Sequence, residues 1–333
     1  MNKVTHVLMG VALLLAIAQP ASAQKRKFTQ VIDSLLTKRY YRAKIDTNYV
    51  VRPQTKWTVT ARVNMYGSRI KSEGITKGLT EGMPFEMQLD AKKKATVSAS
   101  VSYMGLSLSM SLNPAKLIGK YKDLEIDLRS YGPRFGFDIS YQDANNFEGW
   151  YKERGVRQDL KTTDDMFRLR TLYANAYYAF NYRRFSYPAA FVPNYIQRRS
   201  AGSFLLALSG HIQYGEIDNG TEKMDFKMNN LSLGVGYGYN FVPGRGWMLH
   251  ASLLPTYVVL SKTSLNINDK DAPFDHHFPE GIITARVGVI KQIGSNKFAG
   301  LSSVYNHTFV GDKDNLSVSN QKWNTSFYFG FRF

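Results

Sequence analysis

Cysteine is missing from all 333 positions, which excludes disulfides, thiolate metal sites and lipid attachment through a cysteine. Long apolar runs are missing too. The one near the N-terminus, Leu8 to Ala18, has eleven residues, whereas a helix needs about 20 to cross a bilayer. There is no phosphate-cradling glycine motif, no nucleophile elbow and no spaced set of metal ligands, so no cofactor is expected. Acidic side chains are scarce beside basic ones, 26 against 43, giving a formal charge of +17.

The N-terminus carries a secretory layout: Lys3, the apolar run, Gln19, Pro20 and the small-residue site Ala21-Ser22-Ala23. It predicts a signal peptide over 1–23 and a mature chain from Gln24. In a soluble intracellular chain the positive balance would suggest nucleic acid. A secreted chain meets little of it, so no nucleic acid is expected. The expected partners are outer-membrane lipid, lipopolysaccharide phosphates and a small anionic solute. The sequence does not speak to oligomeric state.

With no spanning helix, a mature chain in a membrane has to be a closed barrel. Tyrosine (21) and phenylalanine (20) are abundant, yet the mean hydropathy is only −0.31. Strands that face lipid at every second position have this composition. The last residues alternate without a break: Trp323, Thr325, Phe327, Phe329, Phe331 and Phe333 share one face, and Lys322, Asn324, Ser326, Tyr328, Gly330 and Arg332 the other. The same alternation recurs upstream at 299–309, 283–292, 247–259 and 231–241, where Leu233, Val235, Tyr237 and Tyr239 face out and Gly234, Gly236 and Gly238 face in. Weaker candidates are 57–67, 84–91, 94–112, 122–130, 133–150, 165–182 and 200–217.

The 94–112 stretch changes phase at Met104-Gly105, which fits a β-bulge, with a hairpin as the competing reading. With the bulge the chain has twelve strands. If Met104-Gly105 and the Asn145 region both turn, it has fourteen. The expected fold is an all-β, antiparallel up-and-down transmembrane barrel of about 12 strands (range 10–14) over 55–333. Both ends and the short turns would face the periplasm. Residues 24–54 form a basic segment with helical spacing of Phe28, Val31, Ile32, Leu35 and Leu36, expected to be a short periplasmic helix. Residues 183–199 form a long, aromatic, arginine-bracketed segment where twelve strands predict a short turn; a functional loop and an outer loop of opposite parity both remain open.

Several motifs resemble a family of outer-membrane proteins of the Bacteroides group that is classed by a domain of unknown function. They are Tyr103-Met104-Gly105-Leu106-Ser107-Leu108, Ser130-Tyr131-Gly132 leading into Phe135-Gly136-Phe137-Asp138, and Phe185-Ser186-Tyr187-Pro188-Ala189-Ala190 followed by Arg198-Arg199-Ser200. The resemblance implies the fold and compartment, and carries no substrate or catalytic residue.

Charges on inward phases are the best site candidates. Arg62, Glu86, Asp90, Glu125, Arg134, Asp138 and Arg286 are expected to line the lumen, with Lys56, Arg129, Lys322, Arg332, Asp123 and Asp127 as further members. Two readings follow: a transverse field across a channel for a small solute, or charges that pair and fill the barrel of an envelope scaffold. Enzymatic readings come third. Asp275-His276-His277 could bind a divalent ion or, with Asp271, Asp312 or Asp314, make a rim acid/base site of the omptin sort. A phospholipase-type barrel needs a Ser and His pair on neighbouring strands, whereas Ser303 and His307 share one strand and one outward face. His211 and His250 are expected to face the lumen.

Overall fold

The computed structural model describes residues 23–42, 44–76, 83–112, 124–144, 147–153, 155–161, 167–192, 194–218, 223–267, 270–272, 281–312 and 316–333. The bulk of the signal layout, Asp123, Asp275-His276-His277 and Asp314 fall outside them. Two units are described. The first holds helix α1 (Ala23–Arg42), on which Val31 and Leu35 are exposed. The second, from Ala43 to Phe333, is a closed antiparallel barrel of twelve strands.

In chain order the strands of the second unit are β1 (Val50–Val51), β2 (Trp57–Thr76), β3 (Met83–Tyr103), β4 (Leu106–Leu112), β5 (Leu124–Tyr131), β6 (Phe135–Ala144), β7 (Phe147–Glu153), β8 (Val156–Lys161), β9 (Phe167–Ala179), β10 (Ile196–Gln197), β11 (Ala201–Asp218), β12 (Lys223–Gly244), β13 (Trp247–Ile267), β14 (Lys270–Ala272), β15 (Gly281–Ile293), β16 (Lys297–Asp312) and β17 (Leu316–Arg332). The ring runs β2-β3-β4-β5-β6-β9-β11-β12-β13-β15-β16-β17 and closes where β17 pairs with β2, from Arg332↔Thr58 to Leu316↔Gly74. The β7–β8 hairpin lies off the ring, paired to the upper part of β3. Strands β1 and β10 make a separate two-stranded sheet.

Met104-Gly105 is a two-residue hairpin turn and not a bulge. Both residues have positive φ, 46° and 88°, as a type I′ turn requires. Strand β3 is instead continuous where two strands were expected. A bulge does occur in it: Tyr66 pairs with Lys94 and Ser68 with Ala91, so Gly67 alone faces two residues. The missed turn and the missed continuity cancel in the count. Strands β6 and β7, on either side of 145, run in the same direction; the extra reversal, between Glu153 and Val156, belongs to the off-ring hairpin, so the ring does not become fourteen.

One end of the barrel carries the tight turns at 104–105, 132–134, 245–246 and 294–296 together with Trp57 and Phe333, whose backbones bond to each other. Residues 180–200, between β9 and β11, join strands at this short-turn end, so the parity expected of that segment holds. Outward side chains form an apolar wall, including Val63, Leu108, Ile139, Leu172, Leu206, Leu233, Leu253, Leu301 and Phe327, all exposed. Toward the long-loop end the outer face turns polar, with ion pairs Arg69–Asp90 (2.6 Å), Arg168–Asp143 (2.5 Å) and Arg170–Glu216 (2.9 Å).

Candidate functional site

The inward face holds two layers, a packed floor and a polar cavity above it. The floor is built by the segment between β9 and β11. Its base is clamped by the small sheet β1–β10 and by Asp46 N–H to the Arg183 carbonyl (2.8 Å) and Arg198 N–H to the Tyr49 carbonyl (2.7 Å). Arg184 pairs with Asp46 at 3.5 Å and lies over the Tyr49 ring. From this clamp the chain turns into the barrel. Tyr187–Ala190 form one turn of 3-10 helix, with proline near its start, where a missing N–H costs nothing. Phe185, Tyr187, Ala189, Ala190, Phe191 and Val192 are all buried, packed with Leu205, Met248, Leu254, Ile290, Phe298 and Tyr328 of the wall. We call this segment the stopper.

Polar side chains of the wall latch its backbone. Asn240 Nδ2 donates to the Ser186 carbonyl (2.8 Å), and Arg62 Nη2 to the Phe191 carbonyl (2.8 Å). Tyr328 Oη donates to the Ala190 carbonyl. Gln197, on the stopper's return limb, accepts from Ser186 N–H (2.9 Å) and donates to the Arg184 and Arg199 carbonyls. Inward glycines make room: a Cβ on Gly238 would come 3.0 Å from the Phe185 ring, and one on Gly288 3.0 Å from Ala190 Cβ. These glycines mark where other side chains cross the lumen.

Above the stopper lies a cavity of about 320 Å³, running from Tyr187 and Phe191 past Arg62, Arg129, Asp138, Arg286 and Lys322 to Ser68, Thr308 and Asn320. Among the described residues its lining carries four cations and one carboxylate. The Arg286 guanidinium lies 5.1 Å from the Phe191 ring centroid and 5.7 Å from that of Tyr187, and its buried Nε has no hydrogen-bond partner among the described residues. Lys322 Nζ donates to Tyr173 Oη at 2.5 Å. His211 and His250 do face inward. His250 is held at both ring nitrogens, by Asn240 Oδ1 (2.7 Å) and Ser252 Oγ (3.0 Å).

Of the lumen candidates, the structure brings together Arg62, Asp138 and Arg286, with Arg129 and Lys322. Arg332 also faces inward, below the cavity, bonding Gln292 Oε1 at 2.9 Å. Glu125 pairs in register with Ser111 and Gln142, and its side chain, like that of Asp127, lies outside the described residues. Four candidates lie elsewhere. Glu86 and Asp90 are on the outer face, bonded to Lys152 (3.3 Å) and Arg69 (2.6 Å), because the bulge reverses the phase of β3 above it. Arg134 sits in the β5–β6 turn at the short-turn rim, against Tyr178 and Phe135. Lys56, just before β2, is likewise at that rim. The sequence puts Asn240 and Tyr328 on inward phases but assigns neither them nor Gln197 a role, since one Asn among strand residues carries no periodic signal.

The description "Domain of unknown function (DUF4421)" matches this chain over residues 44–333. The chain belongs to that family. The matched stretch takes in the whole ring, the stopper and the β1–β10 clamp. No curated protein matches the chain. Among solved structures it is similar to the outer membrane protease OmpT from Escherichia coli (7% identity, TM-score 0.41, covering 84% of this chain and 97% of that one). It is also similar to an outer membrane channel from Pseudomonas putida F1 (10% identity, TM-score 0.35, 87% and 100%). A third is the transport unit of the autotransporter AIDA-I from Escherichia coli (11% identity, TM-score 0.34, 91% and 97%). At these scores the likenesses carry no argument about what this DUF4421 member does.

Proposed function

We propose that this protein is a bacterial outer-membrane barrel of the Bacteroides group that acts as a gated channel for a small anionic solute. In this reading a cleaved signal peptide exports the chain. The short-turn end and the C-terminus face the periplasm, and solute enters from the long-loop end. The apolar outer wall supports the membrane reading, because an exposed apolar surface on this scale calls for lipid or a partner. The observation that carries the gated reading is the stopper seated directly beneath a cavity with four cations. A guanidinium is suited to carboxylate or phosphate groups, and the buried Nε of Arg286 has no partner among the described residues. The stopper's latches, neutral apart from Arg62, are of a strength that a partner or ligand could offset.

A second reading, a scaffold barrel with a filled lumen, is favoured by the packing of Phe185, Tyr187 and Phe191 into one buried cluster with the wall. Planar-bilayer conductance of the intact protein and of a variant with 186–194 replaced by a short Gly-Ser linker separates the two. The gated channel predicts silence from the intact protein and anion-preferring steps from the variant. The scaffold predicts silence from both. Steady conductance from the intact protein would show that the stopper does not seal.

A further inference from the structure

On the outer face, next to the strand pair that closes the ring, His307 of β16 and Ser319 of β17 are hydrogen-bonded, Nε2 to Oγ, at 3.0 Å. The phase of β16 puts His307 outward with Tyr305 and Phe309, whose rings flank it at 6.3 and 5.9 Å between centroids. Such flanking rings limit where the imidazole can turn. The height of the pair matters. The row directly below is Tyr305, Trp323 and Gly67 in register, the aromatic margin of the apolar wall. The row of Ser319 pairs it with Phe309 on one side and Lys71 on the other, and the row between carries Gln321 and Arg69. Lys71 is exposed and has no ion-pair partner among the described residues, whereas Arg69 is taken by Asp90. Aromatic side chains mark the depth at which lipid tails give way to headgroups. A serine just above them meets acyl ester carbonyls, and a lysine beside it meets phosphate.

We propose that Ser319 and His307 are a catalytic dyad that hydrolyses the acyl esters of a phosphate-bearing membrane lipid. The proposal rests on the membrane reading above. Ser319 Oγ attacks the ester carbonyl carbon while His307 Nε2 takes the hydroxyl proton. Collapse of the tetrahedral intermediate breaks the bond to the lipid alkoxide, which leaves with the proton from His307. Water, deprotonated by the same nitrogen, then attacks the acyl-Ser319 ester. It releases a fatty acid and returns the proton to the serine, so ester and water become acid and alcohol. Lys71 binds the lipid phosphate and sets the ester against the serine. Ser303, on the same outward face of β16, is instead bonded to Thr325 at 2.9 Å and takes no part.

The test uses the full barrel in vesicles of phosphatidylglycerol and phosphatidylcholine, with flotation establishing insertion. A fluorophosphonate probe should label the wild type and Ser303→Ala but neither Ser319→Ala nor His307→Ala. Fatty acid release should fall to background in those two and drop several-fold in Lys71→Gln. A barrel that floats with the vesicles yet takes no label and releases no fatty acid overturns the dyad alone. Label or release that persists in Ser319→Ala overturns it too, by pointing to another serine or a contaminant. A barrel that does not float overturns the membrane reading, and short-chain soluble esters then decide whether the dyad acts without lipid.

Discussion

Replacing Asn240 by alanine separates the stopper from the wall that carries it. The side chain is fully buried. Its amide nitrogen donates to the Ser186 carbonyl at 2.8 Å and to Gln197 Oε1 at 3.1 Å, and its oxygen meets His250 Nδ1 at 2.7 Å. Two of these three partners belong to the stopper segment. Each net hydrogen bond contributes about 1 kcal/mol, and an orphaned buried carbonyl such as that of Ser186 costs about 1–3 kcal/mol. The seated state should therefore lose about 2–3 kcal/mol relative to the displaced one, which is roughly a 30- to 140-fold rise in the displaced population. The exposed arginines at both ends of the segment, Arg183, Arg184, Arg198 and Arg199, make the assay direct. When displacement is fast, tryptic cleavage follows the displaced population. Cleavage between 183 and 199 should accelerate by that factor while the barrel keeps its heat-modifiable migration. Thr96→Ala, which removes an inward hydrogen bond to Asn64 away from the stopper, should leave the rate unchanged. Equal rates in wild type and Asn240→Ala, or equal acceleration in Thr96→Ala, would refute the latch.

Gly288→Leu should unseat the stopper by collision, since even a Cβ there sits 3.0 Å from that of Ala190; overpacking of this kind costs about 1–3 kcal/mol. Tryptic cleavage reports it, with Gly210→Leu as control because the nearest atom to a Cβ there is 3.8 Å away. Leu206→Arg tests the membrane itself: on the lipid face it should cost about 2–4 kcal/mol near mid-bilayer, read from urea titrations of folding in vesicles. An exposed leucine on a water-facing wall would tolerate the change, so an unaltered midpoint refutes the lipid contact.

The ring was legible because its inner and outer environments differ at every second residue. The phases read for β12, β13, β16 and β17 agree with the observed burial: Tyr237, Leu253, Leu301 and Phe327 are exposed, whereas Asn240, His250, Ser302 and Tyr328 are buried. Turn chemistry was less legible. Met104 adopts the positive φ that glycine or asparagine would have advertised, and the bulge opposite Gly67 leaves no compositional mark, which put Glu86 and Asp90 on the wrong face. The stopper's aromatic content and bracketing arginines were visible in the sequence. Its inward course was not, because a loop has no period and its direction depends on partners such as Asn240 and Arg62 far away in sequence. The pairing of His307 with Ser319 depended on the register of β16 with β17, whereas the sequence showed only that Ser303 shared the histidine's strand.

Arg62 and Tyr328 stand directly opposite each other across the pair that closes the ring, and both reach the stopper, at Phe191 and Ala190. The first and last strands of the cylinder, separated by almost the whole chain, are thus joined twice, once edge to edge and once through a segment from the middle of the sequence. A chain that has docked this segment on its first strand already holds an acceptor for its last, at the carbonyl of Ala190. The loop-closure entropy of bringing the two ends together is then divided between two shorter closures, so the element that blocks the lumen is also a template for its own enclosure.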